Sequence, residues 1–233
     1  MSWIEIAKRG AAEEALKLVK DGYVVGLGSG STVAYFIEGL GKLVRENELN
    51  ILGIATSYQS FLLAVDNGIP LTTLNEHPEP DIAVDGVDEI NDRLEAIKGA
   101  GGAMTMEKIV DSAAKRFIVI ADETKVVEFL GEKHKVPVEV LPAAYRVAAL
   151  KVRMMDAEPT LRMAKNKVGP VITDNGNLII DVKFRRIEDP GETHLKLKSI
   201  PGVVETGIFT DIIEKAIIGG PEEVYSLEKR EKG

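Results

Sequence analysis

The chain has 233 residues, 45% of them hydrophobic, enough to bury a sizeable core in one domain or two. Its formal net charge of −8 argues against a nucleic-acid partner, which needs a basic face, and the absence of cysteine excludes disulfides and thiolate chemistry. No apolar run approaches the roughly 20 residues of a membrane helix, and the N-terminus has early acids and no signal-peptide core, so a soluble cytoplasmic protein with no membrane partner is expected.

In chain order, residues 5–20 carry Ile6, Ala12, Ala15, Leu16 and Val19 near helical spacing and predict an amphipathic helix. YVVGLG (23–28) is a short β-branched run ended by glycine, as in a strand buried on both faces. A helix is predicted over VAYFIEGLGKLV, a strand at ILGIATS and a helix over SFLLAVDNG. IPLTTL and DIAVDG read as two more strands, TMEKIVDSAAK as a helix and RFIVIAD as a fifth strand. Strands alternating with helices predict a parallel sheet covered on both faces.

The pattern changes near residue 131. KHKVPVEVLP is strand-like, PAAYRVAALKVRMM helical, and PVITDNGNLIIDVKF has two β-rich runs around Asp174-Asn175-Gly176, a strong hairpin signal. HLKLKSIPGVVETG reads as a helix or extended run and then a strand. A small α+β unit is therefore expected over residues 131–206. KAIIGG (215–220) returns to the parallel style and is expected to rejoin the first sheet, with EEVYSLEKR as a terminal helix.

Three stretches place polar groups just past the carboxyl ends of strands, where parallel sheets bind ligands. In GLGSGST (26–32), glycines free the backbone to approach an anion, the next helix offers unpaired N–H groups, and Ser29, Ser31 and Thr32 add hydroxyls. This reads as a phosphate cradle or, equally, as a tight turn with a serine or threonine cap. It is neither a dinucleotide fingerprint, because Val33 stands where glycine is needed, nor a P-loop. DIAVDGVDE (81–89) puts Asp85 and Asp88 after a strand, with Gly86 to turn the chain. Such carboxylates can transfer protons, bind hydroxyls or hold Mg²⁺, or simply form an Asp-Gly turn with a helix cap.

In IKGAGGAMTMEKI (97–109), Lys98 precedes Gly99, Gly101 and Gly102, a loop rich in N–H donors that suits an oxyanion. Thr105 is expected to cap the following helix, with Glu107 in its first turn, a position that also merely complements the helix dipole. His77, His134 and His194 have no metal-ligand spacing, and Lys125 is expected to start a helix after a strand.

These stretches, with TSYQS (56–60), ADETK, VPVEVLP, VITDNGN and IPGVVETGIF, resemble the A-type ribose-5-phosphate isomerases in order along most of the chain. The resemblance implies interconversion of ribose 5-phosphate and ribulose 5-phosphate, in the non-oxidative branch of the pentose phosphate pathway, without cofactor or metal. It implies an α/β fold: a Rossmann-like parallel-sheet domain of residues 1–130 plus 207–233, and a smaller α+β lid domain of residues 131–206. It also implies a homodimer or homotetramer acting on a phosphosugar.

Carried over motif by motif, the resemblance puts Ser29, Gly30, Ser31 and Thr32 in the substrate loop. Asp85, Gly86, Val87 and Asp88 would line the reacting end. Lys98, Gly99, Ala100 and Gly101 would form the anion-stabilising loop, Glu107 would accept the proton, and Lys125 and Lys8 would contact substrate. Ser29 stands where threonine is common and keeps the hydroxyl. Ala100 replaces a frequent glycine and requires a negative φ. The rivals are a non-catalytic phosphosugar-sensing domain, for which no basic DNA-reading helix is visible, and a Mg²⁺ phosphohydrolase built on Asp85 and Asp88.

Overall fold

The structure is a computed structural model and describes residues 2–228. A six-stranded sheet forms its centre: β1 (Val24–Leu27), β2 (Leu52–Ala55), β3 (Ile82–Asp85), β6 (Phe117–Asp122), β12 (Lys215–Gly219) and β13 (Val224–Glu228). The order across it is β13-β12-β6-β3-β1-β2, and every pairing is parallel except β12 with β13. All six residues of β6 are buried, which is why RFIVIAD reads as an unbroken apolar run.

Helices α1 (Trp3–Leu16), α2 (Ser31–Arg45), α3 (Tyr58–Asp66) and α4 (Met104–Ala113) flank this sheet. Phe36, Ile37 and Leu40 of α2 and Ala11, Ala12 and Ala15 of α1 are buried with Val25, Leu27, Ile82, Val84, Ile118 and Ile120. Small residues on α1 let it lie close to α2 and β12. No helix among the described residues is long and apolar enough to cross a membrane.

A second, antiparallel sheet has the order β10-β7-β9-β8, made of β7 (Val136–Val140), β8 (Ala157–Leu161), β9 (Leu178–Phe184) and β10 (Val203–Thr206). Helices α5 (Tyr145–Arg153) and α6 (Pro190–Lys198) supply Ala148, Ala149, Val152 and Leu197 to its core. Between the two sheets lies a three-stranded ribbon of β4 (Glu89–Ile90), β5 (Ala96–Ile97) and β11 (Ile208–Phe209). The expected change from parallel to antiparallel construction is thus present, and β12 returns to the parallel sheet beside β6.

Several local expectations are corrected. EEVYSLEKR is not helical where described: residues 224–228 form the edge strand β13, and residues 229–230 lie outside the described residues. Tyr225 and Leu227 alternate with more exposed neighbours, a period-two pattern that pairing with β12 exploits. IPLTTL makes only an isolated bridge, Gly53 with Leu71, because Pro70 has no N–H for a ladder. The Asp174-Asn175-Gly176 turn forms, with Gly176 at φ 80°, but its first arm contributes only single bridges. β9 pairs instead with β7 and with β8, a strand the sequence reading did not contain. Thr105 does not cap α4; Ala103 is the N-cap, without a side-chain bond. Lys125 closes a single 3₁₀ turn, Glu123–Lys125, rather than opening a helix.

Lys98 follows β5, and its position depends on Gly207. The Lys98 N–H donates to the Gly207 carbonyl at 2.8 Å, and the Gly207 N–H donates to Pro137 at 2.7 Å. A Cβ on Gly207 would lie 2.2 Å from the Lys98 carbonyl oxygen, a backbone atom that cannot rotate away. Gly207→Ala is therefore expected to cost about 1–3 kcal/mol through forced backbone movement. Thermal unfolding would show this, and an unchanged Tm would contradict the packing described.

Candidate active site

The loops after β1, β3 and β6 open on the same edge of the parallel sheet, as their common direction requires. There they meet the 98–103 loop, the start of α3 and the Thr173–Asp174 turn around a cavity of about 320 Å³. Lys8, Ser29, Gly30, Ser31, Thr32, Gly86, Val87, Asp88, Lys98, Gly99, Ala100, Gly101, Glu107 and Lys125 all line it. Asp85 does not: it is fully buried one layer below the cavity.

At one end, Gly30 is the N-cap of α2 and has no side chain to cap it, so among the described residues the N–H groups of the first turn, from Ser31 on, have no side-chain acceptor. The capped-turn reading of GLGSGST is therefore not realised. The Lys8 ammonium donates to Ser31 Oγ at 3.0 Å. An uncapped helix start with a lysine and hydroxyls beside it suits an anion.

At the other end, Lys98 is 1% exposed, with its Nζ 2.9 Å from Asp85 Oδ2 and 3.4 Å from Glu107 Oε1. It also donates to the Gly86 carbonyl. Asp85 Oδ1 accepts the Ser29 N–H at 2.9 Å and the Gly86 N–H at 2.6 Å, tying the β1 and β3 loops together. Asp88 Oδ2 accepts the Ala100 N–H at 2.8 Å. Gly99 and Gly102 hold φ of 100° and 85°, whereas Ala100 does not have a positive φ, so the alanine fits.

Burial pushes Glu107 up to about 8, with Asp85 and Asp88 acting in the same sense and Lys98 opposing them. Its Oε2 is buried without a hydrogen-bond partner. Burial alone would lower Lys98, but the charges of Asp85, Glu107 and Asp111 outweigh it and hold the ammonium above the ordinary lysine range. The end of the cavity thus has a fixed cation beside a carboxyl group poised to exchange a proton near neutrality, as acid–base chemistry requires.

The comparisons with known proteins agree with this geometry. The family model for ribose 5-phosphate isomerase A (phosphoriboisomerase A) matches residues 52–223. The chain is 52% identical to ribose-5-phosphate isomerase A of Thermococcus kodakarensis, over 97% of this chain and 99% of that one. The chain belongs to the ribose-5-phosphate isomerase A family. A solved D-ribose-5-phosphate isomerase in complex with phospho-erythronic acid superposes with a TM-score of 0.95 at 48% identity, covering 98% of this chain and 100% of its own. The isomerase of Methanocaldococcus jannaschii gives 0.93 at 50% identity, covering 97% and 99%.

The site also uses residues inside the family motifs TSYQS and VITDNGN to which the sequence alone assigned no role. Ser57, Tyr58, Gln59, Thr173 and Asp174 line the cavity. The Gly30 N–H donates to Gln59 Oε1 at 2.9 Å, and the Tyr58 N–H to Asp174 Oδ2 at 3.1 Å. The hairpin signal at Asp174 was visible, but not its reach to α3. Glu139 on β7 is fully buried and accepts from Thr105, Thr173 Oγ1 (2.8 Å) and Asn177 Nδ2 (2.8 Å), which fixes the first turn of α4.

Asp111 lies one helical turn beyond Glu107, buried, with neither oxygen hydrogen-bonded. Burial, then repulsion from Asp85, raises its pKa well above the ordinary aspartate range, against the pull of Lys98. The folded state therefore holds a proton here that an unfolded aspartate releases above about pH 4, so rising pH removes stability. Asp111→Asn cannot ionise, and it is expected to raise Tm most at alkaline pH, with the gain shrinking towards about pH 4. Differential scanning fluorimetry across that range checks this; a variant destabilised most at high pH would refute it.

Proposed function

We propose that this chain catalyses the reaction for which its relatives are named, interconverting ribose 5-phosphate and ribulose 5-phosphate. The observation that carries the reading is Lys98 Nζ held 2.9 Å from Asp85 and 3.4 Å from Glu107, at the end of a cavity whose far side has an uncapped helix start. Aldose–ketose isomerisation moves a proton between C1 and C2 and places negative charge on oxygen. It needs one base that can serve both carbons and a cation or N–H donors beside the oxygen.

Glu107 is the base in this reading. Lys98 and the glycine-loop amides not already taken by Asp88 stabilise the enediolate oxygen. Ser29, Gly30, Ser31, Thr32, Lys8 and Lys125 hold the phosphate end, whose binding energy orients the reacting carbons. Asp88 and the Gly86–Val87 backbone face the sugar hydroxyls. Asp85, buried below, holds Lys98 in place and acts on the cavity only through it. The enzyme is also expected to bind phospho-erythronic acid, whose carboxylate would sit where the enediolate oxygens form. The full-length match to proteins named as isomerases favours catalysis, and no comparison supports the sensing-domain reading.

Two outcomes follow. In a coupled assay of ribulose 5-phosphate formation, Glu107→Gln should lower kcat by at least about 10²-fold with little change in KM. Near-normal turnover would remove Glu107 from the role. Because the base must be ionised, kcat/KM for the wild type should rise with pH through an apparent pKa near 8. That ascending limb should vanish in Glu107→Gln; a limb unchanged by the substitution would assign the titration elsewhere.

A further inference from the structure

Arg162 follows β8, outside the cavity, in the antiparallel sheet. Its Nη1 donates to two successive carbonyls of the glycine loop, Gly99 at 3.0 Å and Ala100 at 2.9 Å. Its Nε donates to Asp181 Oδ2 at 2.9 Å and its Nη2 to Asp181 Oδ1, so the carboxylate on β9 grips the guanidinium with both oxygens. The 99–101 loop is thus clamped from behind by a residue of the other sheet.

The clamp determines which way the amides face. In a trans peptide the C=O of one residue and the N–H of the next point in opposite directions. With the Gly99 carbonyl turned to Arg162, the Ala100 N–H points away from it, and it meets Asp88 Oδ2 at 2.8 Å. With the Ala100 carbonyl also turned to Arg162, the Gly101 N–H must point to the cavity side. Gly101 lines the cavity, a Cβ built on it would meet nothing within 4 Å, and its N–H has no acceptor among the described residues. A free peptide could flip and present a carbonyl oxygen to the developing anion instead.

We infer that Arg162, braced by Asp181, is a positioning residue that locks the glycine loop with the Gly101 amide facing the reacting oxygen. This rests on the isomerase reading above. Lysine cannot replace it, because one ammonium cannot bond two loop carbonyls while also pairing with both Asp181 oxygens.

The test compares wild type, Arg162→Met, Arg162→Lys and Asp181→Asn in the ribulose 5-phosphate assay, with calorimetric binding of phospho-erythronic acid and of inorganic phosphate. Arg162→Met should lower kcat by about 10²-fold with KM nearly unchanged, and Arg162→Lys should not restore it. Both should weaken phospho-erythronic acid binding and leave inorganic phosphate binding as in wild type. Asp181→Asn should lower kcat in the same direction, and its loss should not add to that of Arg162→Met. If Arg162→Met fails to fold, Arg162→Lys carries the same expectations. Near-wild-type kcat in Arg162→Lys, or equal weakening of both ligands, would overturn the inference. An inactive wild type would instead reject the isomerase reading itself.

Discussion

The buried ammonium of Lys98 is the interaction on which this site depends. An unpaired charge in that position would be prohibitively costly, so the surrounding structure must supply anions and hydrogen-bond acceptors. Asp85 and the adjacent Gly86 carbonyl do so from the end of β3, and Glu107 does so from α4. Lys98 therefore draws the loop after β3, the end of β5 and the first turn of α4 to one point. The same crowding leaves more carboxyl groups than cations, so not all of them can be ionised at once. A proton shared within such a cluster is what an isomerase needs and what an ordinary core would avoid.

Much of this was legible in the residues because it was local. Glycine next to hydroxyl residues after YVVGLG, Asp-Gly after DIAV, and glycine around Lys98 are signals of backbone geometry within a few positions. They located the cavity's edge, and all but Asp85 of the expected contact residues line it. What was not legible is carried by long-range pairing. Asp111 looks in sequence like any polar residue on a helix, Glu139 like a charged residue in a strand-like segment, and Arg162 falls in no predicted element; the second sheet places Glu139 and Arg162 against the helix and loop of the first. The edge strand β13 differs from expectation for a related reason: EEVYSLEKR contains good helix formers, and only the open edge of β12 makes residues 224–228 a strand.

The two sheets divide the work unevenly. The parallel sheet supplies the loop ends that face the ligand, as its topology dictates. The antiparallel sheet contributes few groups to the cavity but holds the parts that must not move. Glu139 holds Thr105, two residues before Glu107, while Arg162 holds the glycine loop. Stability and chemistry are thus written into the same hydrogen bonds, and damage to one is felt in the other.

The Glu139 hub has a further bearing on how a sugar gets in. A carboxylate sealed from water that joins Thr105 to Thr173 and Asn177 cannot be pulled open without stranding its charge. At the cavity rim, by contrast, the bond from the Tyr58 N–H to Asp174 is exposed to water, and its parting strands no charge.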